Sequence, residues 1–415
     1  GASIIPDESR YYEIIKKIGV IDNLPDWTSF LGEKLYNEIK QYQKENKVYH
    51  WELEFPEIIG DGFEAVVGNP PYVDVKAEDY CGVRLECLES RNLYSYIGER
   101  GIVHLNKLSS ISFIVPLTLS CTQKMFSFRN VLIEKLKYLY ILNFSDRPLQ
   151  IFKNVRQRIN IFIGFVNNSR KSILSTKYLR FENKERNKMF NKLNFINCID
   201  LIKDNKIPRI DNNISYKNLS NLLDNKNKIK DFILKESNFQ IFFHGVCCYW
   251  TKAYDFIPEY FSNDGKKGFS SGTSDFYVTN QLIKELIICI LNSSIFYWWW
   301  TLYSDGFHVT KEDIFSFPLI DINNISDNNI KKINFLYKEL MNKYKNFSDY
   351  KSMRVLGKTV KIQSIEPYKF KDILLNIDNF LCDLYGLDFN YYITFDSKFR
   401  YDKEKYRTDD AEEEE

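Results

Sequence analysis

The residues Gly68-Asn69-Pro70-Pro71-Tyr72 combine two hydrogen-bond acceptors with an aromatic ring. The side-chain oxygen of Asn69 and the backbone carbonyl of Pro70 could hold the two hydrogens of an exocyclic amine, and the proline ring fixes the backbone that presents the carbonyl. Held in this way, a nitrogen such as the adenine 6-amino group becomes more tetrahedral, and its lone pair can point at a methyl sulfonium. The chemistry would rest on positioning and polarisation rather than on a strong base.

Tyr72 could stack on a base extruded from a duplex, because chemistry at this nitrogen requires base flipping. Pro71 would make the loop rigid. The same tetrapeptide could also be only a proline-fixed turn with a packed tyrosine. The glycine and the short apolar run before it favour the chemical interpretation, because they predict a buried parallel strand that ends at the turn.

The elements that would position this turn alternate between strands and helices. The pattern predicts a strand from residue 63 to 68, a helix at 92–106, strands at 111–116 and 138–144 with a helix at 126–137 between them, and a strand at 159–166. Such alternation indicates a doubly wound α/β sheet, whose ligand site lies beyond the carboxyl ends of its strands. The Asn-Pro-Pro-Tyr turn falls at such an end.

The rest of the chain is less regular. The first sixty residues have a helical pattern, and beyond about residue 170 short strands and polar loops replace the alternation. We predict a flexible or phosphate-facing loop at 265–274, one helix at 279–300, and further helices at 331–345 and 372–384. Thr310 and Asp313 are spaced as a helix capping box.

Composition predicts a globular protein with a sizeable core. The chain has 415 residues, 44% of them hydrophobic, which indicates two or three domains. Its net charge of +2 becomes +8 without the six acids of the terminal run 409–415, and a mildly basic body is compatible with nucleic-acid binding.

Eight scattered cysteines without zinc-ligand spacing suggest reduced core residues in a cytoplasmic protein. The longest apolar stretch is interrupted at 292–294, so we expect a buried helix rather than a membrane span.

The run from Gly62 to Val73 resembles motif IV of amino-methyltransferases, and its context resembles the gamma class, to which TaqI-like and type IIG restriction-modification enzymes belong. Residues 50–56 resemble the approach to this motif, and residues 92–96, 112–116 and 126–129 resemble the helix, strand and helix that come after it. Residues 290–297, 306–311 and 317–318 resemble the target-recognition half of the same enzymes.

The resemblance implies site-specific methylation of the adenine 6-amino group in double-stranded DNA with S-adenosyl-L-methionine. Asn69 and Pro70 would orient the amine, Pro71 would stiffen the loop, and Tyr72 would clamp the base. Phe152 is the candidate for the aromatic residue on the other face of the base, although it could instead be a core phenylalanine.

The resemblance also implies a partial Rossmann-like methyltransferase sheet followed by an α+β target-recognition domain. The predicted domains are a helical segment at 1–58, a catalytic half at 59–170 and a DNA-specificity domain at 171–415. The candidate DNA contacts are Lys266, Lys267, Gly306, His308 and Lys311, although single lysines are more often solvated surface charges. The Trp298-Trp299-Trp300 run could stack on DNA, but core packing is the commoner use.

The chain departs from the family upstream of the motif. Residues 1–60 contain no glycine-rich cofactor loop and no acidic residue at the usual distance after one, so the cofactor site is expected to be incomplete. Two explanations are possible. The chain could be a piece of a longer enzyme, with the missing N-terminal portion as its partner, or it could be a protein that has lost catalysis. The start Gly1-Ala2-Ser3 favours the explanation that the chain is a piece of a longer enzyme.

Two alternatives to a DNA methyltransferase remain. One is a DNA-recognition module without activity of its own, acting in a restriction complex. The other is a protein or RNA methyltransferase, which the long second domain disfavours.

Overall fold

The computed structural model describes residues 61–76, 85–153, 155–166, 170–262, 265–268, 270, 272–355 and 358–401, together with a few positions between 32 and 45. Contacts divide the chain into two units. The first unit comprises Gly1–Leu119, Gln123–Ile141 and Asn160–Ile173, and the second comprises Ser120–Thr122, Leu142–Ile159 and Leu174–Glu415. Most of the predicted N-terminal helical segment lies outside the described residues; the positions given there are helical at Glu33, Lys34, Asn37, Gln41 and Glu45.

Six strands form one mixed sheet in the order β1-β2-β4-β3-β5-β6. They are β1 (Phe63–Gly68), β2 (Leu105–Pro116), β3 (Tyr138–Phe144), β4 (Ile159–Phe165), β5 (Ser172–Leu179) and β6 (Ile196–Asn197). Strand β1 runs parallel to β2, whereas β5 runs antiparallel to β6. The helices described between β1 and β3 are α1 (Leu93–Val103), α2 (Thr118–Cys121) and α3 (Phe126–Lys135). The predicted α/β class is confirmed.

The position of β1 corrects one expectation. The strand is parallel to its neighbour as predicted, but it is not buried: Val67 is 79% exposed. The reason is that, among the strands that the structure describes, β1 lies at the edge of the sheet with β2 as its neighbour. In β2, by contrast, Ile111, Phe113 and Val115 alternate along one buried face.

Helix α1 is shorter than predicted and packs closely on α3. It begins after Asn92, whose side chain accepts a hydrogen bond from the Tyr94 backbone amide, and ends at Val103, two residues before β2 begins. A Cβ atom at Gly98 would lie 2.4 Å from the Phe128 ring. Glycine is therefore required where these two helices meet.

The predicted alternation ends after β3. Among the described residues, no helix separates β3 from β4 or β4 from β5. The segment between β3 and β4 contains Pro148, which disfavours a helical conformation of the residue before it. The strands predicted at 138–144 and 159–166 are confirmed to within one residue.

The second unit adds short strands and many helices. Its further strands are β7 (Asn227–Lys228), β8 (Ile233–Leu234), β9 (Gln240–His244), β10 (Ala253–Tyr254), β11 (Tyr260–Phe261), β12 (Lys267–Gly268), β13 (Thr273–Val278), β14 (Pro318–Leu319), β15 (Asp349–Val355) and β16 (Lys358–Ser364). Its helices are α4 (Asn213–Leu223), α5 (Gln281–Asn292), α6 (Ser294–Tyr303), α7 (Lys311–Phe315), α8 (Asp327–Asn346), α9 (Lys371–Tyr385), α10 (Phe389–Thr394) and α11 (Ser397–Tyr401). The small sheets have the orders β10-β9-β13-β8, β12-β11-β16-β15 and β14-β7.

The single helix predicted at 279–300 is wrong. The chain forms α5 and α6, which are bent by 69° at Ser293. The Ser293 hydroxyl accepts a hydrogen bond from the Phe296 backbone amide and so caps α6. No single helix in the described part of the chain is long and apolar enough to cross a membrane; α5 and α6 meet that test only as a bent pair.

The three consecutive tryptophans are core residues, which decides between the two interpretations of this run. Trp298, Trp299 and Trp300 are at most 2% exposed. Each indole nitrogen donates a hydrogen bond within the second unit: to the Tyr391 hydroxyl, the Asp313 carbonyl and the His308 carbonyl, respectively. Core packing with satisfied donors leaves these rings no free face for DNA.

Other predictions in the second unit have mixed outcomes. The Thr310–Asp313 capping box is confirmed, and α8 and α9 are longer than the helices predicted there. The predicted loop at 265–274 instead contains β12 and the start of β13. The described cysteines are free thiols, and all but Cys248 are buried; Cys81 lies outside the described residues.

Candidate functional site

The turn predicted to do chemistry follows β1 directly at its carboxyl end. Gly68 closes the strand, and a Cβ atom there would lie 3.1 Å from the Phe113 ring. Asn69 and Pro71 are exposed, Pro70 is buried and Tyr72 is half-buried. The predicted acceptor side chain is therefore presented outward from a turn whose base is packed against β2.

Asn69 and Tyr72 meet in the structure. The Tyr72 hydroxyl lies 2.9 Å from the Asn69 side-chain oxygen and 3.0 Å from the Ile114 carbonyl oxygen of β2, so its single hydrogen is shared between two acceptors. An amide oxygen has two lone pairs. One of them therefore remains for a hydrogen from a substrate.

The Tyr72 ring is also held by an aromatic neighbour. Its edge-to-face contact with Tyr94 of α1 has a centroid separation of 6.3 Å and an interplanar angle of 87°. Partial burial raises the pKa of Tyr72, so its hydroxyl stays protonated and can donate. The tyrosine thus orients the Asn69 amide while part of its own ring stays accessible.

The segment after Tyr72 is tied to the start of α1. Asp74 forms an ion pair with Lys124 at 2.6 Å and accepts a hydrogen bond from the Asn92 side chain at 2.7 Å. The hydrogen bond from Lys124, followed by that from Asn92, lowers the pKa of Asp74. Because the Asp74 side chain is 73% exposed, its ion pair contributes more to orientation than to stability.

Sequence reasoning missed this anchor. Asp74, Asn92 and Lys124 come from three separate segments, and each is an ordinary polar residue in its own sequence context. The one available signal was that Asn92 directly precedes a helical pattern, which is typical of a helix cap.

Phe152 stays a prediction. It is half-buried in a bend, where its carbonyl accepts from the Val155 amide, and Arg186 donates to the neighbouring carbonyls of Gln150 and Ile151. Phe152 belongs to the second unit, whereas the Asn69 turn belongs to the first.

Two of the predicted DNA contacts lie in β12 and the turn before it. Lys266 and Lys267 are both exposed, and the Lys267 ammonium lies 2.9 Å from a carboxylate oxygen of Glu259. This lysine lowers the pKa of Glu259. The ion pair offsets part of the charge that Lys267 would offer to a phosphate.

Of the other three predicted contacts, Gly306 and His308 lie between α6 and α7, and Lys311 is the first residue of α7. Gly306 has a φ of +79°, and a Cβ atom there would lie 2.5 Å from the Tyr178 hydroxyl, so glycine is required for packing alone. The His308 ring nitrogen lies 2.6 Å from Asp305, whose other carboxylate oxygen accepts from the backbone amides of Phe307 and His308. The turn therefore presents His308, whose side chain is 57% exposed, in a fixed orientation.

Asp305 keeps its charge in this turn. Burial alone would raise its pKa, but the hydrogen bonds from His308 and from the two backbone amides lower the pKa below its ordinary value. Lys311 is exposed at the start of α7, directly after the Thr310 cap.

The described residues include a group that could bind the amine, but no binding site for the cofactor is identified among them. Around the end of β1 the polar groups mainly bind one another, as Tyr72 binds Asn69 and Asp74 binds Lys124. Asn69 can receive an amine, but a cradle for the adenosine or methionine part of S-adenosylmethionine is not identified among the described residues. Within that same part of the chain, no group of three or more His, Cys, Asp or Glu residues could hold a metal ion.

Comparison with known proteins identifies a family whose model matches the part of the chain that contains the Asn-Pro-Pro-Tyr turn. Residues 10–152 match the family model described as "Eco57I restriction-modification methylase". The match covers the Asn-Pro-Pro-Tyr turn, β1 to β3 and α1 to α3, and it indicates a restriction-modification methylase domain in this part of the chain. No curated protein sequence matches the chain.

Several solved structures are similar at low identity. The Type IIL restriction-modification enzyme MmeI in complex with DNA is 12% identical with a TM-score of 0.41, covering 83% of this chain and 57% of that one. A nuclease-deletion mutant of the Type ISP enzyme LlaGI with a DNA substrate mimic is 11% identical with a TM-score of 0.38, covering 82% and 51%. The DrdV–DNA complex is 12% identical with a TM-score of 0.27, covering 35% and 18%. The chain thus spans 18% to 57% of the length of these three structures.

Proposed function

We propose that this protein transfers a methyl group from S-adenosylmethionine to the 6-amino group of adenine at a specific site in double-stranded DNA, as part of a restriction-modification system. The observation that carries the proposal is the meeting of the Asn69 side-chain oxygen with the Tyr72 hydroxyl directly after the parallel strand β1. The match of residues 10–152 to a restriction-modification methylase family supports it.

In this proposal the turn acts on the amine. The Asn69 side-chain oxygen and the Pro70 carbonyl accept the two hydrogens of the 6-amino group, which turns the nitrogen lone pair out of conjugation with the ring. S-adenosylmethionine would supply the methyl group when it is bound, and its sulfonium would leave as the neutral thioether S-adenosylhomocysteine. Neither acceptor is a strong base, so the proton that the nitrogen loses passes to water.

Tyr72 has two roles in the proposal. Its hydroxyl holds the Asn69 amide from one side, and this fixes the direction of the remaining lone pair. Its ring, which is edge-on to Tyr94, supports the extruded base. Lys124 and Asn92 position the loop beyond it through Asp74 and do not touch the substrate.

The test is Asn69→Ala in the full-length enzyme. Removing one oriented hydrogen-bond partner of the reacting group lowers the rate by about 100-fold or more, whereas affinity for duplex DNA should stay near that of the wild type. Incorporation of labelled methyl groups gives the rate, and mass spectrometry of the released nucleosides identifies the product. Wild-type activity in the variant, or a methylated base other than N6-methyladenine, would overturn the proposal.

The non-catalytic alternative is tested by titrating this chain with S-adenosylmethionine, with and without random-sequence duplex DNA. Binding of DNA together with the cofactor supports the methyltransferase. Salt-dependent DNA binding without any cofactor binding supports a recognition module that acts with a partner.

A further inference from the structure

One sheet of the second unit, with the strand order β12-β11-β16-β15, has a packed face and an exposed face. On the packed face, Val360 is 4% exposed and Lys351 forms an ion pair with the buried Glu366. Successive side chains of a strand point to opposite faces, so Lys361 and Ser352, each the next residue along its strand, belong to the other face. Both of these residues are exposed.

A row of directly paired residues crosses the exposed face. Lys267 of β12 lies opposite Phe261 of β11, which lies opposite Lys361 of β16. Lys361 in turn lies opposite Ser352 of β15. Residues paired in this way share one face of the sheet, with Cβ atoms about 4.5–5.5 Å apart. The Phe261 ring therefore stands between two lysines.

A second aromatic ring and a further cation lie beside this row on β15. Tyr350 and Arg354 are each two residues from Ser352, so they share its face, and both are exposed. The ring centres of Tyr350 and Phe261 are 6.3 Å apart, and the Lys361 ammonium lies 5.1 Å from the centre of the Tyr350 ring. The side-chain contacts thus agree with the face that the strand register gives.

The charges of these side chains are positive in excess. The Glu259 carboxylate lies 2.9 Å from the Lys267 ammonium and also accepts a hydrogen bond from the Tyr350 hydroxyl. Lys361 and Arg354, by contrast, form no ion pair with the residues that the structure describes. Three cations therefore accompany one carboxylate, and two of the three have no acidic partner in the described part of the chain.

We propose that this exposed face binds an unpaired stretch of DNA. Proteins that bind single strands combine cations, which bind the phosphates, with aromatic side chains on which the bases stack. Here the rings of Phe261 and Tyr350 lie among the cations, so that bases can lie against the rings while the phosphates reach the ammonium and guanidinium groups. DNA as the ligand is taken from the proposed function, on which the proposal rests to that extent.

The aromatic rings favour an unpaired strand over a duplex. A duplex encloses the faces of its bases and offers phosphates and groove edges, which are recognised by hydrogen-bond donors and cations rather than by rings. Against a duplex, the 44% exposed Tyr350 would have no stacking partner. Every unpaired base has an aromatic face, so binding at this sheet should depend little on sequence.

The Tyr350 ring is oriented before any ligand binds. Its hydroxyl donates to Glu259 at one end of the side chain, and Lys361 makes a cation–π contact with the ring. The hydrogen bond to Glu259 raises the pKa of Tyr350, so the hydroxyl stays protonated and keeps this contact. A side chain that is already ordered loses little conformational entropy when a base stacks on it.

The test compares two double variants of this chain for binding to oligothymidylate, a strand that does not pair with itself. The first variant is Tyr350→Leu with Lys361→Gln. The control is Phe335→Leu with Lys332→Gln on α8, where the Lys332 ammonium lies 5.5 Å from the centre of the exposed Phe335 ring. Each variant loses one exposed ring and one positive charge. Circular dichroism and thermal unfolding first establish that both fold as the wild type does.

The affinity of the first variant for oligothymidylate should fall at least about fivefold, which corresponds to the loss of one stacked base. Its plot of log affinity against log salt should become shallower by about 0.7, the value for one phosphate contact of a single strand. The control should keep the affinity and the slope of the wild type. Equal losses in the two variants would overturn the proposal, because any exposed ring and charge would then have the same effect.

A second pair of variants leaves the aromatic rings in place. Arg354→Gln with Lys361→Gln removes two exposed cations from the sheet, whereas Lys331→Gln with Lys338→Gln removes two exposed cations from α8. The salt dependence should become shallower by about 1.4 in the sheet variant alone. Identical slopes in both would overturn the phosphate contacts. An equal loss of affinity for duplex DNA and for oligothymidylate would overturn the choice of an unpaired strand.

Photocrosslinking gives a readout that does not depend on affinity. Oligothymidylate that contains 5-iodouracil crosslinks to aromatic side chains in contact with the base, and mass spectrometry of the digested chain identifies the crosslinked peptide. Crosslinks are expected at Phe261 or Tyr350. Crosslinks confined to other segments, or equally strong crosslinks to these two residues from a duplex, would overturn the proposal.

The outcomes also separate the single-strand site from the proposed function. Crosslinks at Phe261 or Tyr350, together with an Asn69→Ala enzyme that still methylates DNA, would leave the single-strand site standing and overturn the assigned chemistry. Loss of methylation in Asn69→Ala, with equal oligothymidylate affinities in the first variant and its control, would do the reverse.

Discussion

The Tyr72 hydroxyl is the group at the candidate site that orients a side chain rather than a substrate. It is shared between the Asn69 oxygen and the Ile114 carbonyl, and the ring edge rests against Tyr94. The residue that the sequence predicts to stack on a base therefore also holds the Asn69 side chain in place.

Tyr72→Phe should therefore separate orientation from stacking. The variant keeps the ring but loses the hydroxyl, so we expect a roughly tenfold lower methylation rate, since about 1.4 kcal/mol of orientation corresponds to that factor, and a loss of about 0.5–1.5 kcal/mol in the free energy of unfolding. Steady-state kinetics should show the loss in kcat rather than in the KM for DNA.

The matched control is Tyr138→Phe in β3, a half-buried tyrosine whose hydroxyl makes no hydrogen bond to the described residues. The control should leave kcat unchanged. A Tyr72→Phe enzyme with the same kcat as this control would contradict the positioning role.

At the residue scale, the sequence predicts site residues only where they lie close together in one motif. Asn69 and Tyr72 were found because they are three residues apart in one turn. Lys124 is 50 residues from Asp74 in the chain. Such pairings depend on how the elements fold against each other, and a single sequence does not contain that information.

At the element scale, the break between α5 and α6 depends on a buried carboxylate. Asp378 of α9 accepts from the Ser294 backbone amide at 2.7 Å and from the Ser294 hydroxyl at 2.5 Å. The hydroxyl in turn accepts from Arg400 at 2.8 Å. Burial raises the pKa of Asp378 from 3.8 to about 6, in opposition to these hydrogen bonds and to the Arg400 charge.

This carboxylate should make stability depend on pH. Because its folded pKa lies above the unfolded value, its protonated form stabilises the fold below pH 3.8, and that contribution is lost as the pH rises through about 6. Asp378→Asn should remove this component. Urea unfolding between those pH values gives the free energy of unfolding of both proteins.

The control for this prediction is Asp383→Asn, an exposed position on the same helix. It should keep the wild-type pH dependence. A difference between wild type and Asp378→Asn that does not change with pH would contradict the raised pKa.

The same break shows why the helix prediction failed. The run from Leu286 to Trp300 has apolar residues on nearly every face, and its only interruption is Asn292-Ser293-Ser294. These three residues could equally lie inside a helix or cap one, and Asp378, which accepts from the Ser294 amide, lies 84 residues further along. The strand β3 was predicted with correct bounds because its apolar residues are continuous and its ends are marked locally.

At the scale of the whole molecule, the terminal acids reduce the basic character of the chain. Net charge is +2 with them and +8 without the six carboxylates at 409–415. Changing all six to the corresponding amides should raise the affinity for duplex DNA by roughly twofold to tenfold at low salt, because long-range attraction increases.

The gain should vanish at high salt, where charges separated by more than about 3–10 Å are screened. Fluorescence anisotropy at several salt concentrations measures both regimes, and a chain shortened before residue 409 is the control for length. Equal affinity with and without the six charges at low salt would contradict a contribution from the tail.

The fold class was predictable from the sequence because it depends on repeated local patterns: apolar runs of strand length and helical periodicity on either side of the turn. The exposure of β1 was not predictable, since its apolar residues are the same whether a strand is central or at the edge. Only the order of strands in the sheet distinguishes the two positions.

The two units are interleaved along the chain, and this affects how such a protein can be recombined. The first unit is completed only at Ile173, but Ser120–Thr122 and Leu142–Ile159 belong to the second. A gene fusion that joined residues 1–173 to the C-terminal part of a different protein would carry these two inserts into the hybrid. A single crossover at residue 173 would therefore require an incoming part that packs with both inserts, so exchange should be easiest between close relatives.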